Sequence, residues 1–275
     1  MSYTEVCFTV QPREIGQQIL IAQLGELDFE SFSEEGNVLK AYIKTELFNV
    51  DDIKDCQIFE NEDFSITFTS KALPEQNWNQ TWEDNFKPVL ISEQCVIRAP
   101  FHDAFNVDYE IVIEPKMSFG TGHHATTHMM MLALLEENLT QRKVLDMGCG
   151  TGVLAILAEM RGANHICAID YDQWCFENTS ENIERNNCSY IIPRLGSAEL
   201  IEEDFDVILA NINRNILLDH IPVYAKHLQS DGLLFLSGFY KEDLDLINKV
   251  AARHDLKFVK HQLKNNWICS KYMKL

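Results

Sequence analysis

No apolar run in the chain is long enough to cross a bilayer, so a helical membrane anchor is not expected. The opening Met1-Ser2-Tyr3-Thr4-Glu5 has neither a basic segment nor an apolar core, which removes the pattern of a secretory signal. Cysteine is present, eight times, yet never as C-x-x-C, so the short zinc and redox motifs are missing. Reduced thiols in a cytoplasmic protein are the expectation, most of them packing as small hydrophobes, Cys149 included. Basic residues are also scarce, 23 Lys and Arg against 42 Asp and Glu, for a net charge of −19. A general nucleic-acid grip needs a basic surface to displace counterions and is therefore disfavoured. A cationic partner, such as a lysine-rich protein, suits the charge better.

One more absence carries information. The glycine-rich stretch Val144-Leu145-Asp146-Met147-Gly148-Cys149-Gly150-Thr151-Gly152 holds no basic residue and no G-K-[ST], so it is not a phosphate loop. Its spacing is G-x-G-x-G, whereas a dinucleotide fold requires G-x-G-x-x-G. What is there reads as a buried strand, a sharp turn and an apolar helix, then a second strand ending at Asp170. Glycine lets the backbone turn tightly and approach a ligand. A carboxylate 20 positions beyond Gly150 suits the hydroxyls of an adenosine ribose. Asp146 beside the turn would repel a pyrophosphate but tolerate a sulfonium and an ammonium group. S-adenosyl-L-methionine is the cofactor that matches.

Downstream, residues 172–187 read as a helix, 190–195 as a short strand, and 206–211 as a buried strand with Asn211 at its C-terminal end. Residues 212–228 are amphipathic, 232–238 form an apolar strand, and a helix through Val250 precedes strands at 257–262 and 267–272. Alternating strands and helices predict an α/β unit, doubly wound and Rossmann-like around a mostly parallel sheet. Ligands of such sheets bind at the C-terminal strand ends, where Gly148, Asp170 and Asn211 fall.

The first 72 residues differ. Expected strands at 3–10, 29–32, 38–44 and 65–70 and helices at 12–27 and 50–56 follow the order βαββαβ of a ferredoxin-like α+β domain. The first 75 residues carry 15 Asp and Glu against 5 Lys and Arg, and no glycine-rich turn. A recognition domain for a basic partner is expected over 1–72, a linker helix over 73–90 and the cofactor domain over 91–275. In the linker Trp78, Trp82 and Phe86 recur every four residues, a stripe that packs a helix onto a neighbour or offers a binding platform.

A second cluster precedes the glycine turn. Glu114-Pro115-x-Met117-x-Phe119-Gly120-Thr121-Gly122-x-His124-x-Thr126-Thr127 joins glycines, threonines and histidines ahead of an expected helix. His124 and His128 have a spacing that metal sites use, but no third ligand stands nearby. A flexible lid over the cofactor is the expected role. This motif, with the glycine turn, Ala210-Asn211-Ile212, Ser237-Gly238 and Trp267, resembles the bacterial ribosomal protein L11 methyltransferase family. The resemblance covers nearly the whole chain.

It implies a class I methyltransferase fold and S-adenosylmethionine-dependent methylation of lysine and N-terminal amino groups on one large-subunit ribosomal protein. It also implies cofactor contacts at Thr127, Gly148, Asp170 and Asn211. His123 and Ala125 depart from the family's usual Thr and Pro. Phe119 and Trp267 are expected to wall the acceptor site. Asn211 is expected to orient the amine, and as a helix N-cap it would serve the run beginning near Ile212 as well. A methyltransferase of a small molecule or RNA base, or a module using the fold only for binding, are the competing readings.

Overall fold

The computed structural model describes residues 2–73, 86–116 and 118–275. The chain divides into two compact units, Met1–Phe86 and Lys87–Leu275.

In the first unit β1 (Tyr3–Gln11) leads to α1 (Arg13–Gly25), β2 (Ser31–Glu35), β3 (Val38–Lys44), the short α2 (Val50–Lys54) and β4 (Ser65–Ala72). The antiparallel sheet has the order β2-β3-β1-β4. Alternation does the work: Val6, Phe8 and Val10 of β1 and Leu39, Ala41 and Ile43 of β3 all point to one face. That face meets Leu20 and Leu24 of α1 and Ile53 of α2. Asn49 caps α2 by accepting from the Asp51 N–H at 3.1 Å.

In the second unit an unforeseen three-stranded sheet comes first, β5 (Val89–Ser92), β6 (Cys95–Arg98) and β7 (Tyr109–Val112). The linker helix expected over 73–90 is therefore wrong at its end, because Val89 and Leu90 already pair with Ile97 and Val96. Trp78 and Trp82 lie outside the described residues, and Phe86 has no regular structure. Arg98 clasps Glu110 across β6 and β7 through two N–H···O bonds of 2.8 and 3.1 Å. These bonds, offset in part by burial, hold the Glu110 carboxyl below its ordinary range.

The main body follows as α3 (Ala125–Leu135), β8 (Lys143–Met147), α4 (Val153–Met160), β9 (His165–Asp170), α5 (Gln173–Arg185), β10 (Ile191–Leu195), β11 (Phe205–Asn211), α6 (Arg214–Lys226), β12 (Leu228–Tyr240), α7 (Leu244–Ala252), β13 (Leu256–Lys264) and β14 (Trp267–Lys274). The sheet order is β10-β9-β8-β11-β12-β14-β13, parallel except where β14 runs against β12 and β13. One apolar core holds residues of α3 and α4, another holds residues of α6 and α7, as a sheet buried on both faces requires. Sheet neighbours β8 and β11 are far apart in sequence, and this reversal of strand order opens the crevice in which such folds bind ligands. Among the described residues no helix is long and apolar enough to span a membrane.

Candidate active site

An open cleft of about 760 Å³ lies at the C-terminal ends of these strands, lined by Gly148, Gly150, Asp170, Ser197, Asn211 and His220 among others. The glycine turn is its floor. Gly150 has φ +58°, and a Cβ there would stand 2.2 Å from the Phe119 carbonyl oxygen, so only glycine fits. Asp170 ends β9 with its side chain aimed back at the turn. Its Oδ2 accepts from the Gly150 N–H at 2.9 Å and its Oδ1 from the Asp172 N–H at 3.1 Å. A carboxylate has about four acceptor positions, so two bonds leave capacity for a ribose diol. Asp146 is fully buried beneath the turn. Its Oδ2 accepts from the Ala155 N–H in the first turn of α4, while Oδ1 has no partner. Burial first, then the neighbouring Asp170 charge, push its carboxyl up to about 7 against the opposing Ala155 bond.

Asn211 stands where β11 ends. Its Nδ2 donates to the Thr127 hydroxyl at 3.4 Å, and its Oδ1 is buried without a partner. The helix N-cap role expected for Asn211 belongs to Asn213, whose side chain accepts from the Ile216 N–H ahead of α6. Thr127 is buried in α3 behind Asn211 and does not line the cleft. Its hydroxyl accepts from the Asn211 amide and fixes that side chain.

Phe119 is half exposed at the mouth, 51%, and begins a row of rings. His124 lies between Phe119 and Trp267 at centroid distances of 5.2 and 4.9 Å, and Trp267 meets Tyr240 at 4.1 Å. Tyr240 had no signal in the sequence. His124 also caps α3, accepting from the Thr126 N–H. The flexible-lid expectation fails at its base. The Thr151 N–H donates to Phe119 O at 2.9 Å and the Thr151 hydroxyl to Gly120 O at 2.8 Å, pinning the loop to the glycine turn. A Cβ on Gly120 (φ +110°) would sit 2.6 Å from that hydroxyl, so this glycine serves close approach rather than hinging. His123 bridges Thr121 and the Lys87 carbonyl. Glu114 is a strut, held by Arg185 at 3.0 Å, while its N–H donates to Asn182. Sequence spacing hides such contacts, since α5 is some 70 residues downstream.

Cys149 touches the Thr179 hydroxyl, and burial drives its thiol well above the ordinary range, which removes it as a nucleophile at neutral pH.

These features fit a cationic adenosine cofactor. The lining contains Asp170 and Asp172 but no Lys or Arg among the described residues, so nothing neutralises a pyrophosphate. The orphaned Oδ1 of Asn211, which lines the cleft, leaves an acceptor open for a donor of a bound molecule.

A family model described as ribosomal protein L11 methyltransferase matches residues 9–274. The chain is 44% identical to a protein of that name from Phocaeicola vulgatus, with 99% of each covered. Against the protein of that name from Bacteroides fragilis it is 43% identical, over 99% of this chain and all of the other. A crystal structure of ribosomal protein L11 methylase from Lactobacillus delbrueckii subsp. bulgaricus superposes with a TM-score of 0.64 at 28% identity, covering 69% of this chain and 100% of that one. With a glycine turn, a carboxylate and an orphaned amide oxygen in one cleft, and that family's model matching residues 9–274, the chain belongs to the ribosomal protein L11 methyltransferase family.

Proposed function

We propose that the protein transfers methyl groups from S-adenosylmethionine to amino groups, of lysine side chains and of the α-amine, on ribosomal protein L11. The observation that carries this reading is the unpartnered Oδ1 of Asn211 beside the glycine turn. When bound, the cofactor supplies an already activated methyl group, so the chain has only to align an amine and keep it neutral. A free lysine, with a pKa of about 10.4, is mostly protonated and cannot attack. An apolar mouth disfavours the ammonium form and lowers that value. Phe119 lines the cleft, and His124, Trp267 and Tyr240 continue from it as a row of touching rings, which is the apolar wall this reading requires. Asn211 Oδ1 accepts an N–H of the neutral amine and so aims its lone pair at the methyl carbon, while Thr127 keeps the amide from turning. On transfer the neutral amine becomes a methylammonium, whose proton leaves to water.

The substrate fits the charge. A basic ribosomal protein complements a chain of net charge −19, and the acidic first unit is the natural recognition surface. The test uses radiolabelled S-adenosylmethionine with total ribosomal protein and, separately, with ribosomal RNA. Label in L11, and its loss with Asn211→Ala at saturating S-adenosylmethionine, is the expected result. Label in the RNA, or none in any ribosomal protein, overturns the proposal. With Phe119→Ala the rate should fall and its optimum move to higher pH, since a wetter mouth leaves the amine more basic.

A further inference from the structure

The far end of the cleft holds a side chain that methyl transfer does not use. β10, β9, β8 and β11 lie in that order, so the residues after β10 flank Asp170 on the side away from Gly148 and Asn211. Leu195 pairs with Asp170, and the Gly196 N–H donates to Asp170 O at 2.8 Å. With Asp170 holding the ribose, the base would lie toward Gly196 and Ser197, which line the cleft. Ile216 and His220, four apart and so on one face of α6, close that end.

His220 Nδ1 is 3.1 Å from the hydroxyl of Tyr224. Tyr224 is wholly buried, and burial pushes its phenol above its ordinary range, so it keeps its proton. That buried O–H has His220 Nδ1 as its recorded partner and must donate to it. A neutral imidazole that accepts at Nδ1 carries its hydrogen at Nε2. The carboxylates of Asp219 and Glu199 both act on His220 electrostatically, Glu199 Oε1 accepts the Ser197 N–H at 2.9 Å, and neither carboxylate hydrogen-bonds to Nε2. Tyr224 thus sets the tautomer, and His220 presents a single N–H donor to the base end of the cleft.

We propose that His220 reads the purine of the cofactor, donating its Nε2–H to a ring nitrogen of adenine. This rests on the S-adenosylmethionine reading and adds a residue that selects the base. A donor there accepts purine ring nitrogens as partners and leaves a C–H at the same position unmatched.

Calorimetry with S-adenosylhomocysteine and its 1-deaza, 3-deaza and 7-deaza analogues tests this, each analogue replacing one ring nitrogen by C–H. For the wild type, one analogue should bind about tenfold more weakly than the parent. In His220→Leu that analogue and the parent should bind equally. Each ratio is taken within one protein, so a general loss of stability cancels. Equal binding of all four ligands by the wild type overturns the proposal, and this holds even if His220→Leu does not fold. So does discrimination that persists in the variant. A wild-type protein that binds none of the four removes the cofactor reading together with the proposal. In Tyr224→Phe the tautomer is no longer imposed, and the preference for the parent should shrink.

Discussion

Asp146 shows how one residue can be costly to the empty protein and useful at the site. Its carboxyl is pushed up to about 7 by burial, whereas in an unfolded chain it titrates near 3.9. Between those values the folded state holds a proton that the unfolded state has lost. The group's contribution is therefore most favourable below about pH 4, declines as pH rises toward 7, and stays at its lower level above. Asp146→Asn, neutral at every pH, should flatten that decline, making the variant gain on the wild type from pH 5 to pH 8 in denaturant melts without cofactor. A parallel pH profile for the two proteins would show that the carboxyl is solvated. Asp170 is placed differently, since both its oxygens accept backbone N–H groups. Asp170→Ala should weaken S-adenosylhomocysteine binding by about 1.5–3 kcal/mol, the value of hydrogen bonds to a charged group, read by calorimetry.

At the scale of elements, α3 carries the departure from the family's usual loop. Ala125 is its first residue, and His124 before it is extended at φ −74°, ψ 141°. A proline tolerates the first helical position, and the residue preceding a proline prefers that extended geometry. Ala125→Pro should raise stability by about 0.4–1 kcal/mol through a stiffer unfolded chain, measured by urea melts. A loss of stability would mean that the buried methyl of Ala125 has no room for a ring. The same element explains why a lid was expected where a pinned loop exists. Two glycines in a polar loop read as freedom, yet their partners, Thr151 for Gly120 and Ile97 for Gly122, are set by folding. Local composition is blind to what packs against it.

For the whole molecule, charge is the useful handle. The acidic surface should make substrate docking salt-sensitive, because exposed charges separated by more than about 8–10 Å are screened at physiological ionic strength. KM for L11 should rise with salt while the affinity for S-adenosylhomocysteine changes little. A chain beginning at Lys87 should keep cofactor affinity and lose methylation of L11. Full activity in that shortened chain would remove the recognition role from the first unit.

Much of this was legible in the residues. The G-x-G-x-G turn and Asp170 lie within one strand–helix–strand segment, so their relation is short-range and survives in sequence spacing. Alternation in β1 and β3 marked the first unit's sheet, since a strand with one buried face writes its period into the chain. Asn211 was recognisable from its motif and strand end, but its orphaned oxygen and its bond to Thr127, 84 positions away, were not. The row from Phe119 to Tyr240 and the strut at Glu114 likewise join residues through the packing of helices on the sheet. Local order and the choice of cofactor are properties of neighbouring residues and could be read from the sequence alone. Which side chain faces which across the cleft was decided only when burial of both sheet faces brought distant elements together.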